Sequence, residues 1–244
     1  MQRGRAALHP SRWRFTTPSA QVSQSAPRPL LPVFVSFEGV DGSGKSTQAR
    51  LLADALRQRG RIVIEVREPG GTEVGESIRS LLLDPDTDLD PRAELLLFSA
   101  ARAQLVSSVI RPALAEGAVV VADRFFDSST AYQGGGREIE SAEQLEAHHA
   151  FVTGGLAPDR TYLIDLPLDV AASRRDHRAQ DRMESGDADY FGRVRTAYLA
   201  LAKRHPKRVV VLDGSPPPDV LHQRILADLE TGSINNESPA THSE

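Results

Sequence analysis

Gly39, Gly42, Gly44, Lys45 and Ser46 stand in "GVDGSGKS" with the spacing Gly, four residues, then Gly-Lys-Ser, between an apolar run ending at Glu38 and a segment of helical periodicity. That spacing, in that context, is the signature of a phosphate-binding loop. Glycines permit backbone conformations and a close approach that side chains block, so successive N–H groups turn toward phosphate oxygens. The following helix adds the positive end of its dipole. Lys45 is placed to reach β and γ phosphates and Ser46 to offer its hydroxyl to magnesium. The expected ATP site is therefore Gly39, Val40, Asp41, Gly42, Ser43, Gly44, Lys45, Ser46 and Thr47. Asp41 is the odd member, because a carboxylate beside phosphates is repulsive. Its presence points to another contact, such as a sugar hydroxyl.

A second group of residues would converge on whatever that loop holds. Asp123 and Arg124 end the apolar run "VVVAD", at the strand end where open α/β sheets bind ligands. Asp123 suits magnesium, directly or through water, and Arg124 suits a clamp on a second, acceptor phosphate. Arg67 ends another strand before the turn-forming Pro69, Gly70 and Gly71; a solvated turn arginine is the plainer reading there. Phe98 and Arg102 are four apart and share a helix face, where a phenylalanine is usually core. The segment Ser173–Ser185, "SRRDHRAQDRMES", mixes Arg174, Arg175, Arg178 and Arg182 with acids. It reads either as a solvated helix face or as a basic lid closing over phosphates. No general base is needed, since an acceptor phosphate is already an anion near neutral pH. His148, His149, His205 and His222 lack metal-ligand spacing.

These residues need a scaffold, and five nearly continuous apolar runs supply it: Val33–Glu38, Arg61–Val66, Ala118–Asp123, Arg160–Asp165 and Arg208–Asp213. Such runs mark strands buried on both faces. Segments of helical spacing separate them, two ending at Gly60 and Gly117 as helix C-termini do. The expectation is an α/β fold: a doubly wound parallel five-stranded sheet with helices on both faces. At 244 residues and 26.5 kDa the chain suits one domain over 31–230, with a lid near 173–186. Residues 1–30, basic and without an acid, read as a disordered or dispensable extension, and 231–244 as a disordered tail. With no cysteine there is no disulfide and no thiol chemistry. A net charge of −4 argues against nucleic-acid coating. No stretch reads as a membrane span.

The pieces "FEGVDGSGKST", "REPGGT", "LLLFSAARAQL", "DRFFDSSTAYQGGGR" and "DRMESGDADYFGRVRTAYLAL", in this order from about Val33 to Leu229, resemble the bacterial thymidylate kinases. The resemblance implies phosphorylation of dTMP by ATP with magnesium held near Ser46 and Asp123. It also implies a cytoplasmic homodimer. By the same resemblance Asp41 contacts the sugar 3′-hydroxyl or nearby acceptor atoms, Phe98 stacks on thymine and Arg102 bonds a base carbonyl. Arg67 and Arg124 take the acceptor phosphate, Ser129 reads the base edge, Tyr132 fills the place of a 2′-hydroxyl, and Gln133 lies beside it. Lys45, Arg124 and Arg182 carry the catalytic charge, Arg182 acting either on ATP or in lid closure. The loop has no arginine and the lid is basic, so the chain is similar to the lid-arginine type. His177 departs from that pattern by standing where a lid arginine is expected. Another nucleotide or deoxynucleoside kinase, or a regulatory P-loop ATPase, are the alternatives left open.

Overall fold

The β-branched runs become short strands, the three central ones buried on both faces as expected and the two edge ones partly exposed. The computed structural model describes residues 33–175, 182–184 and 186–232. Its strands are β1 (Phe34–Glu38), β2 (Val63–Arg67), β3 (Val119–Asp123), β4 (Arg160–Asp165) and β5 (Val209–Asp213). All pair in parallel in the order β2-β3-β1-β4-β5. The expected fold class stands, with each strand displaced from its predicted run by at most two residues. Chain order reverses on either side of β1, and this switch point is where such sheets open a crevice. The register puts Phe37 and Arg67 opposite Asp123, so the carboxyl ends of β1, β2 and β3 are level.

The helices are α1 (Lys45–Gln58), α2 (Glu73–Leu83), α3 (Pro91–Leu105), α4 (Arg111–Ala115), α5 (Phe126–Ser129), α6 (Ala142–Thr153), α7 (Leu168–Arg175), α8 (Ala188–Arg204) and α9 (Pro218–Gly232). Val35 and Phe37 face Leu52 and Leu56 of α1 and Ile225 of α9. The alternate residue Phe34 faces Leu105 and Ile110 on the other side. Further along that side, Leu163 and Val209 meet Val194 and Tyr198 of α8. Burying one such leucine is worth about 2–3 kcal/mol. Period-two alternation therefore sends Ser36 and Glu38 to the same face as Phe34, into the interior.

Two helical segments widen to i→i−5 bonding. Val106–Ile110 does so just before Pro112, which has no N–H to give to Ser108 and whose ring would crowd that carbonyl. Thr130–Gly136 does so around the three glycines. Gly135 cannot take a side chain, since a Cβ would stand 2.3 Å from that of Ala197 in α8.

The whole helical run Pro91–Ala115 is long and apolar enough to cross a membrane by length and composition, where sequence reading had found no such stretch. Leu105, Val106, Ile110 and Ala113 pack into the core with Phe34 and Val120, which makes the run a core helix. Helix α9 extends through Thr231 and Gly232, two residues assigned to the tail. The proposed extension 1–30, the rest of the tail, and His177 and Arg178 lie outside the described residues, as does the side chain of Arg175.

Candidate active site

A cleft of about 670 Å³ opens over the phosphate loop, lined by Asp41 through Gln48 and by Arg67, Asp123, Arg124 and Arg174 among others. A recess of about 110 Å³ adjoins it, lined by Phe98, Arg102, Ser129, Tyr132, Gln133 and Met183. Asp41, Glu68, Arg79 and Arg124 line both. Two sites that share a wall of charged groups are what transfer between two ligands requires.

Gly39 and Val40 differ from expectation, for neither lines the cleft. Gly39 lies at φ +136°, and a Cβ there would meet the Ile164 carbonyl oxygen at 2.4 Å. It is glycine so that the loop can seat on β4. The Val40 carbonyl accepts from Lys45 Nζ at 3.0 Å. Lys45 is buried and 3.6 Å from Asp41. Its burial and the neighbouring Arg124 lower its pKa, against Asp41 and Asp123, which raise it. Ser46 and Thr47 are exposed at the start of α1.

Arg124 has a left-handed backbone, φ +72°, which costs a non-glycine residue about 1–2 kcal/mol and is tolerated where surroundings over-determine it. Its Nη2 donates to Asp41 Oδ1 at 2.6 Å and to the Tyr132 hydroxyl at 3.1 Å. Tyr132 in turn donates to Asp41 Oδ2 at 2.9 Å. Burial raises the Asp41 carboxyl, but Arg124 and Lys45 overcome it and hold the group well below the usual carboxylate range. Asp41 is thus an anion bridging two cations.

In the recess, Arg102 is 1 % exposed. Its Nε and Nη2 grip the Glu68 carboxylate at 2.6–3.1 Å, and Nη2 also reaches Ser129 Oγ at 3.1 Å. Its Nη1 is buried with no hydrogen-bond partner among the described residues. Phe98 stands one turn earlier on α3. Gln133 donates to Glu94 at 2.8 Å.

Arg67 lines the larger cleft and pairs at 3.2 Å with Glu76, both partly exposed. Arg182 departs from a role toward ATP but not from one in lid closure. It binds Glu94 at 2.8 Å and the Leu82 carbonyl at 2.9 Å and lines neither cavity. In this structure it joins the 182–184 turn to α2 and α3 and does not face the phosphate loop.

The thymidylate kinase family model matches residues 37–225. A thymidylate kinase of Chlorobium chlorochromatii is 50 % identical over 214 residues, covering 82 % of this chain and 95 % of that relative. One from Kosmotoga olearia is 47 % identical over 197 residues, covering 80 % and 94 %. The chain belongs to the thymidylate kinase family. The crystal structure of a thymidylate kinase from Ehrlichia chaffeensis superposes with a TM-score of 0.68 at 33 % identity, covering 82 % of this chain and 99 % of that one. The matched span takes in every residue placed in the two cavities.

For this member of the family, sequence reasoning had missed Glu68, Arg79, Glu94, Glu38 and Tyr198. Glu68 had a faint signal, since it follows Arg67 at the end of β2. Arg79 lies on α2, lines both cavities and donates to the Pro69 carbonyl at 2.8 Å. The other acids looked like ordinary helix or strand residues, yet Glu94 and Glu38 are fully buried.

Burial, with the nearby Asp127 carboxylate adding to it, pushes Glu38 up to about 7 from the usual 4.5; Arg124 and hydrogen bonds from Ser128 and the Phe125 N–H oppose it. The folded chain holds this proton to higher pH than the unfolded chain. Its contribution to stability is full below about pH 4.5 and is lost as pH rises toward 7. Relative to Glu38→Gln, the wild type should therefore lose about 2–3 kcal/mol of unfolding free energy between pH 5 and pH 8. Urea titrations at the two pH values read this, and a pH-independent difference between the proteins would overturn it.

Proposed function

We propose that the chain transfers the γ-phosphoryl group of ATP to the phosphate of dTMP, giving ADP and dTDP. The observation that carries this is Arg124 at the wall shared by the two cavities, paired with an aspartate that an anionic ligand can replace. ATP lies along the phosphate loop, with Lys45 and the backbone N–H groups of Gly42–Ser46 on its phosphates. The dTMP ring enters the recess against Phe98, where Arg102 Nη1 meets a base carbonyl and Ser129 lies at the base edge. The acceptor phosphate takes Arg124 Nη2 from Asp41, which turns to the sugar hydroxyl, while Arg67 adds charge at the cleft rim. Tyr132 and Gln133 close the sugar side.

Ser46 and Asp123, a hydroxyl and a carboxylate that both line the phosphate cleft, are hard oxygen donors that suit Mg²⁺, which keeps waters and phosphate oxygens in its shell. When bound, Mg²⁺ neutralises charge developing on the transferred group. The residues then hold attacking and leaving oxygens in line, and no side chain needs to remove a proton.

Val74 and Leu81 of α2, Leu96 of α3 and Phe151 of α6 are exposed large apolar residues on neighbouring helices, which supports a homodimer. The small-molecule pair ATP and dTMP accounts for the site with no nucleic acid or membrane partner, and the likeness to bacterial enzymes supports the cytoplasm.

An ADP-release assay with ATP and a panel of dTMP, dUMP, UMP, CMP, AMP and thymidine tests the reading, on protein whose mass is first read by sedimentation. The expected result is a dimer with dTMP the best acceptor. Turnover of no monophosphate, or preference for one without a thymine or uracil ring, would sink the assignment, and a monomer at micromolar concentration would remove the dimer.

A further inference from the structure

Arg124 is held from two directions, one by a carboxylate and a tyrosine hydroxyl and the other by a carbonyl and two further hydroxyls. Its Nη2 carries the exchangeable partner Asp41, together with Tyr132. Its Nη1 donates to the Gly39 carbonyl at 3.2 Å, to Ser128 Oγ at 3.0 Å and to the Tyr198 hydroxyl at 3.2 Å. Both of those hydroxyls then donate to a single oxygen, Glu38 Oε2, Ser128 at 2.6 Å and Tyr198 at 3.0 Å. The other oxygen of Glu38 accepts the Phe125 N–H at 2.7 Å. One carboxylate thus collects β1, the segment after β3, and α8 behind one guanidinium.

Glu38 has no exposed surface and Tyr198 is 2 % exposed. Neither lines either cavity, so neither can touch a nucleotide. The Tyr198 ring is itself wedged edge-on against Tyr132, centroids 6.3 Å apart, so its hydroxyl has little freedom. Two N–H bonds on Nη1 face three acceptors, and this half of the guanidinium is saturated by the protein.

We infer that Tyr198 and Glu38 are positioning residues for the transfer: they fix the Nη1 half of Arg124 so that its Nη2 half can exchange Asp41 for the acceptor phosphate without the side chain swinging away. This rests on the reading of Arg124 as the acceptor-phosphate clamp. An arginine held by Asp41 alone would lose its anchor at the moment the phosphate displaced that carboxylate. A pre-set guanidinium spares the reaction that reordering.

The test is a double-mutant cycle between Tyr198→Phe and Arg124→Lys, read as kcat and KM for dTMP, with ATP affinity and thermal midpoint measured beside them. Tyr198→Phe keeps the ring and removes one hydroxyl. In the wild-type background it should lower kcat by about ten- to hundredfold, with a smaller change in the KM for dTMP and ATP affinity unchanged. In the Arg124→Lys background, where no Nη1 remains to be held, it should lower kcat less than about twofold, the non-additivity of residues acting as one unit. If Tyr198→Phe does not fold, Glu38→Gln carries the same cycle. Equal losses in both backgrounds, or a Tyr198→Phe enzyme as fast as wild type, overturn the inference and leave the dTMP assignment standing. A wild-type chain that does not turn over dTMP overturns both.

Discussion

Arg124→Ala is expected to lower kcat with dTMP by about three orders of magnitude while ATP affinity stays within about threefold. The size follows from what a preorganised cationic donor at a transferring phosphoryl group contributes, about 10²–10³ for one hydrogen-bond donor and 10³–10⁵ for an arginine on developing phosphoryl charge. The selectivity follows from position. In the proposed arrangement Lys45 and the loop backbone take the donor phosphates, which the truncation leaves in place, and Arg124 takes the acceptor's. Alanine at φ +72° inherits the same backbone strain, so the comparison isolates the guanidinium. Asp41 loses its 2.6 Å partner but keeps Lys45 at 3.6 Å, which stops the loop from carrying an isolated buried anion. Calorimetric titration with a non-hydrolysable ATP analogue and steady-state kinetics together decide the matter. Full activity in the variant would refute the role, and loss of ATP binding would move Arg124 to the donor side.

Glu68→Ala should have the largest effect on stability, a loss of about 3–5 kcal/mol. The Arg102–Glu68 pair is closed at 2.6 Å with the two side chains 1 % and 4 % exposed. Burial raises the Glu68 carboxyl and Arg102 pulls it back, so the charges depend on each other. Taking away the carboxylate leaves buried a guanidinium whose Nη1 already lacks a partner among the described residues. Against a typical total of about 5–15 kcal/mol, the variant should sit near the threshold of folding at 37 °C. Glu68→Gln, which keeps the shape and one acceptor oxygen, should lose less. The dTMP KM should rise in both variants, because Arg102 is no longer aimed into the recess. Urea unfolding of the three proteins checks this, and a loss below about 1 kcal/mol for Glu68→Ala would show that water reaches the site.

Much of the fold was legible because it is encoded locally. Runs such as "VVVAD" bury both faces and need no partner to be recognised, and all five predicted strands formed. The phosphate loop was legible for a related reason. Its chemistry is mostly backbone, and glycine spacing reports backbone directly. The Phe98 and Arg102 pair was half legible, since a four-residue spacing gives a shared face but not what the face meets. Helical widening at Thr130–Gly136 was hidden, because three glycines in a row read as a loop until α8 packs against them.

The sequence by itself determined which groups this protein possesses for phosphate, their order, and the sheet that brings strand ends level. Only the tertiary structure decided which groups hold which. Arg102 chose Glu68, 34 residues away; Arg124 chose Tyr198, 74 residues away; Arg182 went to Glu94 and away from the phosphate loop. An arginine can reach many carboxylates in an extended chain, and spacing does not rank them. Burial does, because in a dry interior each charge and each polar hydrogen must find a partner within hydrogen-bond reach, and packing sets who stands there.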